Sequence, residues 1–328
     1  MAKYKDIGGT AVQTRSGAEE YTYPSPEGEL FYNSGNGQFQ FVGLGGGNWA
    51  SGGNLNQARY AGSGGDGTLT AAIIAGGYSN ARVDNVEKYD GSSWTEVADL
   101  NDARYSLALF GTSSSALAVG GDTPPYTGNT ESWNNSSWTE VADLNTARRN
   151  SARAGASNTS GLVAGGYASP GYQAVVETWD GSSWTEVGDL NTARDGVSGT
   201  GIVTAALVAA GDTPPRTANT EVWDGSSWTE VNNLNTARMY AGTTGLSSTN
   251  ALLFGGLAAP GDTANTESWD GTSWTELNNL ATARQSLSGA GASSSSALAF
   301  GGRSGPAAGV NATEEWTFSH PIKTVTTS

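Results

Sequence analysis

The sequence predicts an all-β protein, a six-bladed β-propeller with four antiparallel strands in each blade. Three observations lead to this fold: a tryptophan motif that recurs about every 45 residues, short apolar segments that end in paired glycines, and no helical periodicity of any length. A repeat of about 40 to 50 residues is typical of four-stranded propeller blades. With 328 residues, the chain is long enough to form one large all-β domain with its own core.

The repeat is recognised by a motif that reads WTEVADLNTAR in one of its copies. Five clear copies begin at a tryptophan, and a degenerate sixth copy, NWASGGNLNQAR, includes Trp49. Successive tryptophans of the series are 45, 44, 46, 44 and 46 residues apart. The six tryptophans are Trp49, Trp94, Trp138, Trp184, Trp228 and Trp274.

Each repeat contains the same succession of four predicted strands. A short strand of small residues follows the arginine of the motif, and an apolar strand then ends in a glycine pair, as in AIIAGG up to Gly77; the fourth copy, LVAAG up to Gly211, has alanine at the first glycine. Continuous apolar runs are typical of strands that are buried on both faces. The third and fourth strands, such as VETWD and SWTEV, are joined by a tight turn whose Asp-Gly pair is typical of a hairpin.

The ring is predicted to close through both ends of the chain. The last repeat ends near Trp316 without a fourth strand, and the segment around Trp49 is the one candidate to supply it. Because an open sheet edge invites unwanted pairing, we predict that residues 47–53 complete the sixth blade and that the propeller spans residues 47–318. Residues 1–46 do not repeat and are predicted to form an attachment arm or small β-hairpin module, the alternative being a cap across the propeller; residues 319–328 form a tail without a predicted partner.

The repeats resemble kelch repeats over residues 47–318, through the glycine pair, the aromatic residue of the third strand and the tryptophan of the fourth. Kelch domains usually bind proteins or glycans. The repeat sequence WDGSSWTEV followed by DLNTAR also resembles kelch-like virion structural proteins of tailed bacteriophages, especially marine ones. The segment EGELFYNSGNGQFQ resembles short hairpins of phage tail-fibre and virion proteins.

The phage resemblance implies a non-enzymatic virion structural protein present in many copies. Its role would be that of a host-recognition tail fibre, or of a decoration protein on the head or tail, attached to other virion proteins through residues 1–46. It would present the propeller to a host-surface glycan or protein. The alternatives are a cellular kelch module that binds a protein or glycan, and a glycan-degrading propeller enzyme.

Composition and charge exclude several function classes. The formal net charge is −15 and the pI is near 4.4, which disfavours binding to nucleic acid and to anionic lipid. The chain has no cysteine, so disulfides, cysteine-based zinc sites and cysteine nucleophiles are excluded. Its one histidine, His320, cannot supply a Ser-His-Asp triad within the propeller or the ligands of the kelch copper oxidases.

The termini and apolar segments predict no membrane insertion. The N-terminus MAKYKDIGGT lacks the apolar run of a signal peptide, and no stretch reaches the roughly 18 apolar residues of a membrane helix. We therefore expect a protein made in the host cytoplasm without a signal peptide and located in the virion.

One glutamate of the third strand and one arginine before the first strand recur in every repeat. Repetition in phase predicts Arg–Glu ion pairs that hold the blades, since the guanidinium fork matches a carboxylate. The alternative is a ring of carboxylates around the channel that binds Ca²⁺; no other cofactor is expected. A catalytic pair is disfavoured, because an active site needs one asymmetric arrangement and not six copies. The residues are Arg59, Arg104, Arg148, Arg194, Arg238 and Arg284, with Glu87, Glu131, Glu177, Glu221, Glu267 and Glu314.

The loops between the second and third strands vary most and are predicted to lie on one face. Binding residues are commonly found on loops held by a rigid scaffold, and Tyr and Arg are frequent hot spots. The alternative is that these loops vary because they tolerate change. The hypothetical recognition face consists of Tyr78, Arg82, Tyr126, Tyr167, Tyr172, Arg216 and Arg303.

Two further patterns are expected to be structural. The aromatic pairs that flank each hairpin recur in phase with the repeat, which favours blade packing over stacking on sugars. The string SWDGTSW at 268–274 resembles the Asp-box of sialidase propellers but is one residue short, so a plain hairpin turn is expected. Two-carboxylate glycosidase chemistry stays open, because nothing singles out one pair among the 31 acidic residues.

Overall fold

The structure is a computed structural model that describes residues 13–15, 30–34, 37–42, 46–61, 63–64, 67–306, 308–319 and 322–324. The chain divides into two compact units, Trp49–Trp316 and a second unit made of Met1–Asn48 with Thr317–Ser328. Within the described ranges the fold is all-β, and six four-stranded antiparallel sheets form a propeller, as predicted. No helix of the described residues is long and apolar enough to span a bilayer.

The strands of each blade are named a to d from the propeller axis outwards, because the a strands of neighbouring blades contact one another. In blades 1 to 6 the a strands are Ser63–Gly64, Ala108–Thr112, Ala152–Ser157, Ser198–Ile202, Gly242–Ser247 and Ser288–Ser293. The b strands are Ala72–Tyr78, Ser115–Val119, Ser160–Ala164, Ala205–Ala209, Asn250–Phe254 and Ser296–Phe300. The c strands are Arg82–Tyr89, Thr130–Trp133, Val176–Trp179, Thr220–Trp223, Thr266–Trp269 and Thr313–Ser319. The d strands are Trp94–Val97, Trp138–Val141, Trp184–Glu186, Trp228–Val231, Trp274–Leu277 and Gly46–Ser51.

The core lies between the blades. Along strand b of blade 1, Ile73 joins an apolar cluster with blade 2 and Ile74 joins one with blade 6. Successive side chains of a strand point to opposite faces, so each central strand fills two interfaces. This explains why the b strands read as continuous apolar runs and not as alternating ones.

The glycine pair that ends strand b brings neighbouring blades together. Gly120 has φ +62°, and a Cβ added there would lie 2.6 Å from the carbonyl oxygen of Arg148 in the connection to the next blade. The N–H of Gly121 donates to that same oxygen at 3.0 Å. In blade 4, Ala210 takes the place of the first glycine and keeps the positive φ, at +66°.

The sixth blade is completed by Gly46–Ser51, which confirms the predicted closure by the segment around Trp49. Trp49 and Trp316 have ring centroids 5.3 Å apart, which matches the 5.2 Å of the Trp133–Trp138 pair in blade 2. The indole Nε1 of Trp49 also donates to Thr266 Oγ1 of blade 5 at 3.0 Å. The N-terminal segment therefore ties the sixth blade to the fifth.

The second unit contains one sheet with the strand order Gln13–Arg15, Leu30–Asn33, Gln38–Val42 and Ile322–Thr324. The middle two strands form an antiparallel hairpin, and the first pair is parallel. Within the segment 319–328, for which the sequence predicts no partner, Ile322–Thr324 pair with Gln40–Val42. The two ends of the chain therefore share this unit.

Replacing Trp49 tests the closure. We expect Trp49→Ala to lower the free energy of unfolding by about 3 kcal/mol, because it removes an aromatic side chain packed between two blades. Trp49→Phe, which keeps a ring at the position but loses the Nε1 donor, should cost about 1 kcal/mol. Equilibrium denaturation in urea measures both variants. A Trp49→Ala protein as stable as the wild type would contradict the closure.

Candidate functional site

Each repeated arginine forms an ion pair with the glutamate of strand c in the blade that it enters. The six arginine side chains are no more than 1% exposed. Arg59 pairs with Glu87, and the other nitrogen–oxygen distances are 2.9 Å for Arg104–Glu131, 2.6 Å for Arg148–Glu177, 2.6 Å for Arg194–Glu221, 2.9 Å for Arg238–Glu267 and 3.0 Å for Arg284–Glu314.

Other residues of the LNTAR motif donate hydrogen bonds to the glutamate of the ion pair. The other oxygen of Glu177 accepts the backbone N–H of Asn145 at 2.7 Å and its side-chain amide at 2.9 Å, while Arg148 also donates to the Val163 carbonyl at 3.2 Å. Burial lowers the pKa of Arg238 to about 10, and the charge of Glu267 opposes the effect. Each charge is thus matched inside its own blade. The described residues include no group of three or more acidic or histidine side chains placed to share a metal ion.

A ring of six residues with positive φ surrounds the axis where the d strand of one blade connects to the a strand of the next. The N–H of Asn150 donates to the Ser106 carbonyl at 2.9 Å, and similar bonds join four further pairs of neighbours. Between blades 3 and 4, the Asn150 side chain donates to Asp195 Oδ1 at 3.0 Å. The six residues are Ala61, Ser106, Asn150, Gly196, Tyr240 and Ser286, with φ between 51° and 61°.

Tyrosine and arginine side chains form a continuous arc on this face, and all of them are half-buried. Neighbouring tyrosine rings lie 5.4 to 6.0 Å apart, as in the Tyr126–Tyr167 contact at 5.6 Å. The guanidinium of Arg149 lies 4.9 Å from the centre of the Tyr126 ring, and that of Arg303 lies 5.1 Å from the centre of the Tyr60 ring. We call this set the tyrosine–arginine arc; its members are Arg303, Tyr60, Tyr78, Tyr105, Arg82, Arg149, Tyr126, Tyr167 and Tyr172.

The buried carboxylate of Asp122 binds side chains in the middle of the arc. Asp122 accepts from Arg82 at 3.0 Å and from Arg149 at 2.6 Å, and the Tyr105 hydroxyl donates to it at 3.1 Å. Burial, followed by the charge of Asp122, raises the pKa of Tyr105. Charge-assisted bonds of this kind fix side-chain orientation, so the arginines and tyrosines are held in place before any partner binds.

Two further aspartates, Asp195 and Asp212, lie at the far end of the arc. The Tyr172 hydroxyl donates to Asp212 at 2.7 Å, and this bond raises the pKa of Tyr172 to about 12. Asp195, which forms a backbone bridge with Asp212, is 8% exposed, and burial raises the pKa of its carboxyl group. Burial also raises the pKa of Tyr240, whose hydroxyl lies 3.5 Å from Asp195.

A cavity of ≈ 210 Å³ lies on the axis, since all six residues of the positive-φ ring line it. Arg149, Arg153 and Arg303 line it together with Tyr60, Tyr105 and Tyr240. Arg153 comes from strand a of blade 3 and donates to the Gly289 carbonyl of the opposite blade at 3.3 Å. Its side chain therefore crosses the axis. Among the described residues that line the cavity there is no aspartate or glutamate.

Six of the seven residues proposed for the recognition face belong to the arc, and Arg216 does not. Arg216 is held by a bond to the Ala258 carbonyl at 3.0 Å in the next blade. The sequence reasoning did not find Tyr60, Tyr105 and Arg149. Each directly follows a repeated arginine, at a position that is Tyr, Tyr, Arg, Asp, Met and Gln in the six repeats. That variation beside an otherwise regular motif was the available signal.

The aromatic pairs and hairpin aspartates occupy structural positions. In the five aromatic pairs of blades 1 to 5, both side chains are at most 7% exposed and the ring centroids lie 5.0 to 5.4 Å apart. In the SWDGTSW segment, Asp270 accepts the N–H groups of Thr272 and Ser273, each at 2.7 Å. This is an Asx-type hairpin turn.

No protein-family model and no curated protein matches this chain. Among solved structures, the chain is similar to one titled "Structure of YjhT", with a TM-score of 0.69 and 12% sequence identity. The alignment covers 83% of this chain and 99% of that one. A likeness at this identity shows a shared propeller fold alone, so the kelch and phage resemblances continue to rest on the sequence.

Breaking one ion pair tests its structural role. We expect Glu177→Leu to lower the free energy of unfolding by about 3 to 5 kcal/mol, because it leaves the buried charge of Arg148 without a partner. The double variant Arg148→Met/Glu177→Leu removes both charges and should be more stable than the single variant. Urea unfolding of the two variants gives the comparison. A double variant that is less stable than Glu177→Leu would contradict a simple charge-matching role.

The hairpin aspartates predict a loss of stability in acid. Hydrogen bonds from the N–H groups and hydroxyls of the two following serines lower the pKa of Asp90, Asp180 and Asp224 from 3.8 to about 2. A lowered folded-state pKa adds stability above the unfolded value that is lost as the pH falls from about 4 to about 2. The triple Asp→Asn variant should therefore show a smaller decrease in Tm over this range.

Blade 2 supplies the reference for that experiment, because Asn134 already accepts the N–H groups of Ser136 and Ser137, each at 3.0 Å. An amide therefore suits the turn, and the variant should fold. Thermal unfolding followed by circular dichroism at several pH values measures the effect. Equal Tm decreases in the variant and the wild type would show that these carboxylates do not contribute.

Proposed function

We propose that this protein is a non-enzymatic binding protein, and a virion structural protein of a tailed phage, that recognises a host-surface glycan or protein. The tyrosine–arginine arc is the observation that carries the proposal. Its rings and guanidinium groups are partly exposed, yet they are held by one another and by Asp122. Side chains ordered before binding lose little further entropy when a partner arrives, and Tyr and Arg are frequent hot spots of binding surfaces.

The environment of the acidic groups supports a binding role over catalysis. The glutamates of the repeat are buried with their arginines, and Asp122 is held by two arginines. Glycoside hydrolysis needs a general acid and a second carboxylate on either side of one bond. The described lining of the axial cavity offers arginines and tyrosines. We therefore propose a function without a catalytic step and without a cofactor.

The virion role is supported by the phage resemblance of the repeat and by the separate N-terminal unit. The hairpin of Leu30–Asn33 and Gln38–Val42 belongs to a compact unit distinct from the propeller. In this proposal residues 1–46 attach many copies of the chain to other virion proteins. The propeller then presents the arc, as a tail-fibre tip or as a decoration protein.

The first test asks whether the protein is found in purified phage particles and whether the full-length chain binds host cells and blocks adsorption. We expect both, and we expect Tyr126→Ala/Tyr172→Ala to weaken cell binding at least about tenfold. The matched control is Thr139→Ala/Thr229→Ala, on exposed parts of the d strands. Absence from particles would overturn the virion role, and unchanged binding by the arc variant would overturn the arc as the recognition surface.

A further inference from the structure

The described residues that line the axial cavity include positively charged side chains, although the chain as a whole is strongly acidic. The protein carries a net −15, yet three arginines and no carboxylate are found among the described residues that line the cavity. The six repeated arginines are all engaged in ion pairs elsewhere. Arg149, Arg153 and Arg303 are therefore extra to the repeat, and they converge on one place on the axis.

Three aspartates among the described residues of this face have hydrogen-bond partners of their own. Asp122 lies between Arg82 and Arg149, so two guanidinium groups face one carboxylate. Asp195 accepts from the Asn150 side chain at 3.0 Å, and Asp262 accepts from Gln285 at 2.7 Å and from the Gly305 N–H at 2.5 Å. None of these three aspartates is among the described residues that line the cavity. A recess with one sign of charge and low-dielectric walls concentrates its field inside.

The remaining lining suits a small polar molecule. The cavity of ≈ 210 Å³ is below the roughly 300 to 1,000 Å³ of sites for drug-sized ligands. Tyr60 and Tyr105 line it together with the polar residues Ser106, Asn150 and Ser286. Guanidinium groups bind carboxylates and phosphates through paired hydrogen bonds.

We infer that this cavity binds the oxyanion of a small hydroxylated ligand, a carboxylate or a phosphate of about the size of one sugar, with Arg153 at its base and Arg303 and Arg149 at its sides. The inference deepens the proposed function and rests on it for its biological meaning. The host-surface partner that binds the arc would carry an acidic group that enters the axial cavity. Anion binding by the purified protein is nevertheless a separate property from cell binding.

The probes are D-glucuronate, glucose 6-phosphate and neutral D-glucose, titrated into the full-length protein by calorimetry. We expect at least one anion to bind at millimolar concentration or below, and glucose to bind at least about tenfold more weakly, as expected for the loss of charge-assisted hydrogen bonds. Tighter binding of glucuronate would identify a carboxylate ligand, and tighter binding of glucose 6-phosphate a phosphate ligand. No binding of either anion, or equal binding of glucose, would overturn the inference.

Variants locate the site. Arg303→Met and Arg153→Met should each weaken anion binding about tenfold or more, and Arg153→Lys should recover part of the loss. Arg216→Met is the matched control, because this arginine lies on a neighbouring loop but does not line the cavity. Circular dichroism checks folding, and Arg303→Met alone tests the site if a change at Arg153 unfolds the protein. An equal loss with Arg216→Met, or no loss with Arg303→Met, would overturn the assignment.

The result is distinguishable from the test of the proposed function. Anion binding that depends on Arg303 supports the inference even where the protein neither binds cells nor occurs in particles, and in that case only the proposed function fails. Cell binding through the arc by a protein that binds neither anion overturns the inference and leaves the proposed function standing.

Discussion

The propeller depends on one structural feature that is repeated six times. This feature is the buried arginine between adjacent blades, with its side-chain ion pair and its backbone carbonyl contact, and we call it the arginine node. Its side chain is neutralised by the glutamate of its own blade, as in Arg148–Glu177 at 2.6 Å. Its backbone carbonyl oxygen accepts a hydrogen bond from the glycine pair of the preceding blade. The donor is the N–H of the second glycine, as in Gly121 to Arg148 at 3.0 Å, and the same bond is found at all six junctions. A buried ion pair adds little net stability compared with apolar packing. What this node contributes is register, because a blade shifted along its neighbour would leave both the charge and the carbonyl oxygen unsatisfied.

The same node explains how a repeated scaffold supports a unique site. The residue after each arginine forms a backbone bridge with a residue at or just after the end of strand b, as Tyr60 does with Tyr78. The arginine fixes the backbone at this position, while the side chain that follows is free to differ between repeats. Tyr60, Tyr105 and Arg149 occupy it in blades 1 to 3, and these side chains join the variable loops into the arc. Residues that pack the blades and residues of the proposed recognition surface are thus adjacent in the sequence.

The sequence was sufficient to predict the fold, the blade number and the closure at Trp49, because a period of about 45 residues and one missing strand leave few ways to close a ring. It predicted the loop half of the arc and missed the half that follows the repeated arginines. Tyr60 is 18 residues from Tyr78 in the sequence, and their contact arises from a bridge within one blade that no local pattern displays. The pairing of Ile322–Thr324 with Gln40–Val42 has the same cause, since three residues carry too little pattern to indicate a partner about 280 residues away.

The arginines of this protein fall into two groups, those paired within the repeat and those of the proposed recognition surface. Each arginine of the repeat is paired with a buried glutamate. At Arg148, Asn145 donates to Glu177 through its N–H and its side-chain amide, and the arginine donates to the Val163 carbonyl oxygen, so its charge is already matched. Arg149 and Arg303 instead lie against tyrosine rings on one face of the propeller. A ring of identical blades would place any such group on all six sides of the axis. The arginines and tyrosines of the arc come from blades 6, 1, 2 and 3, so the arc follows part of the ring and not all of it.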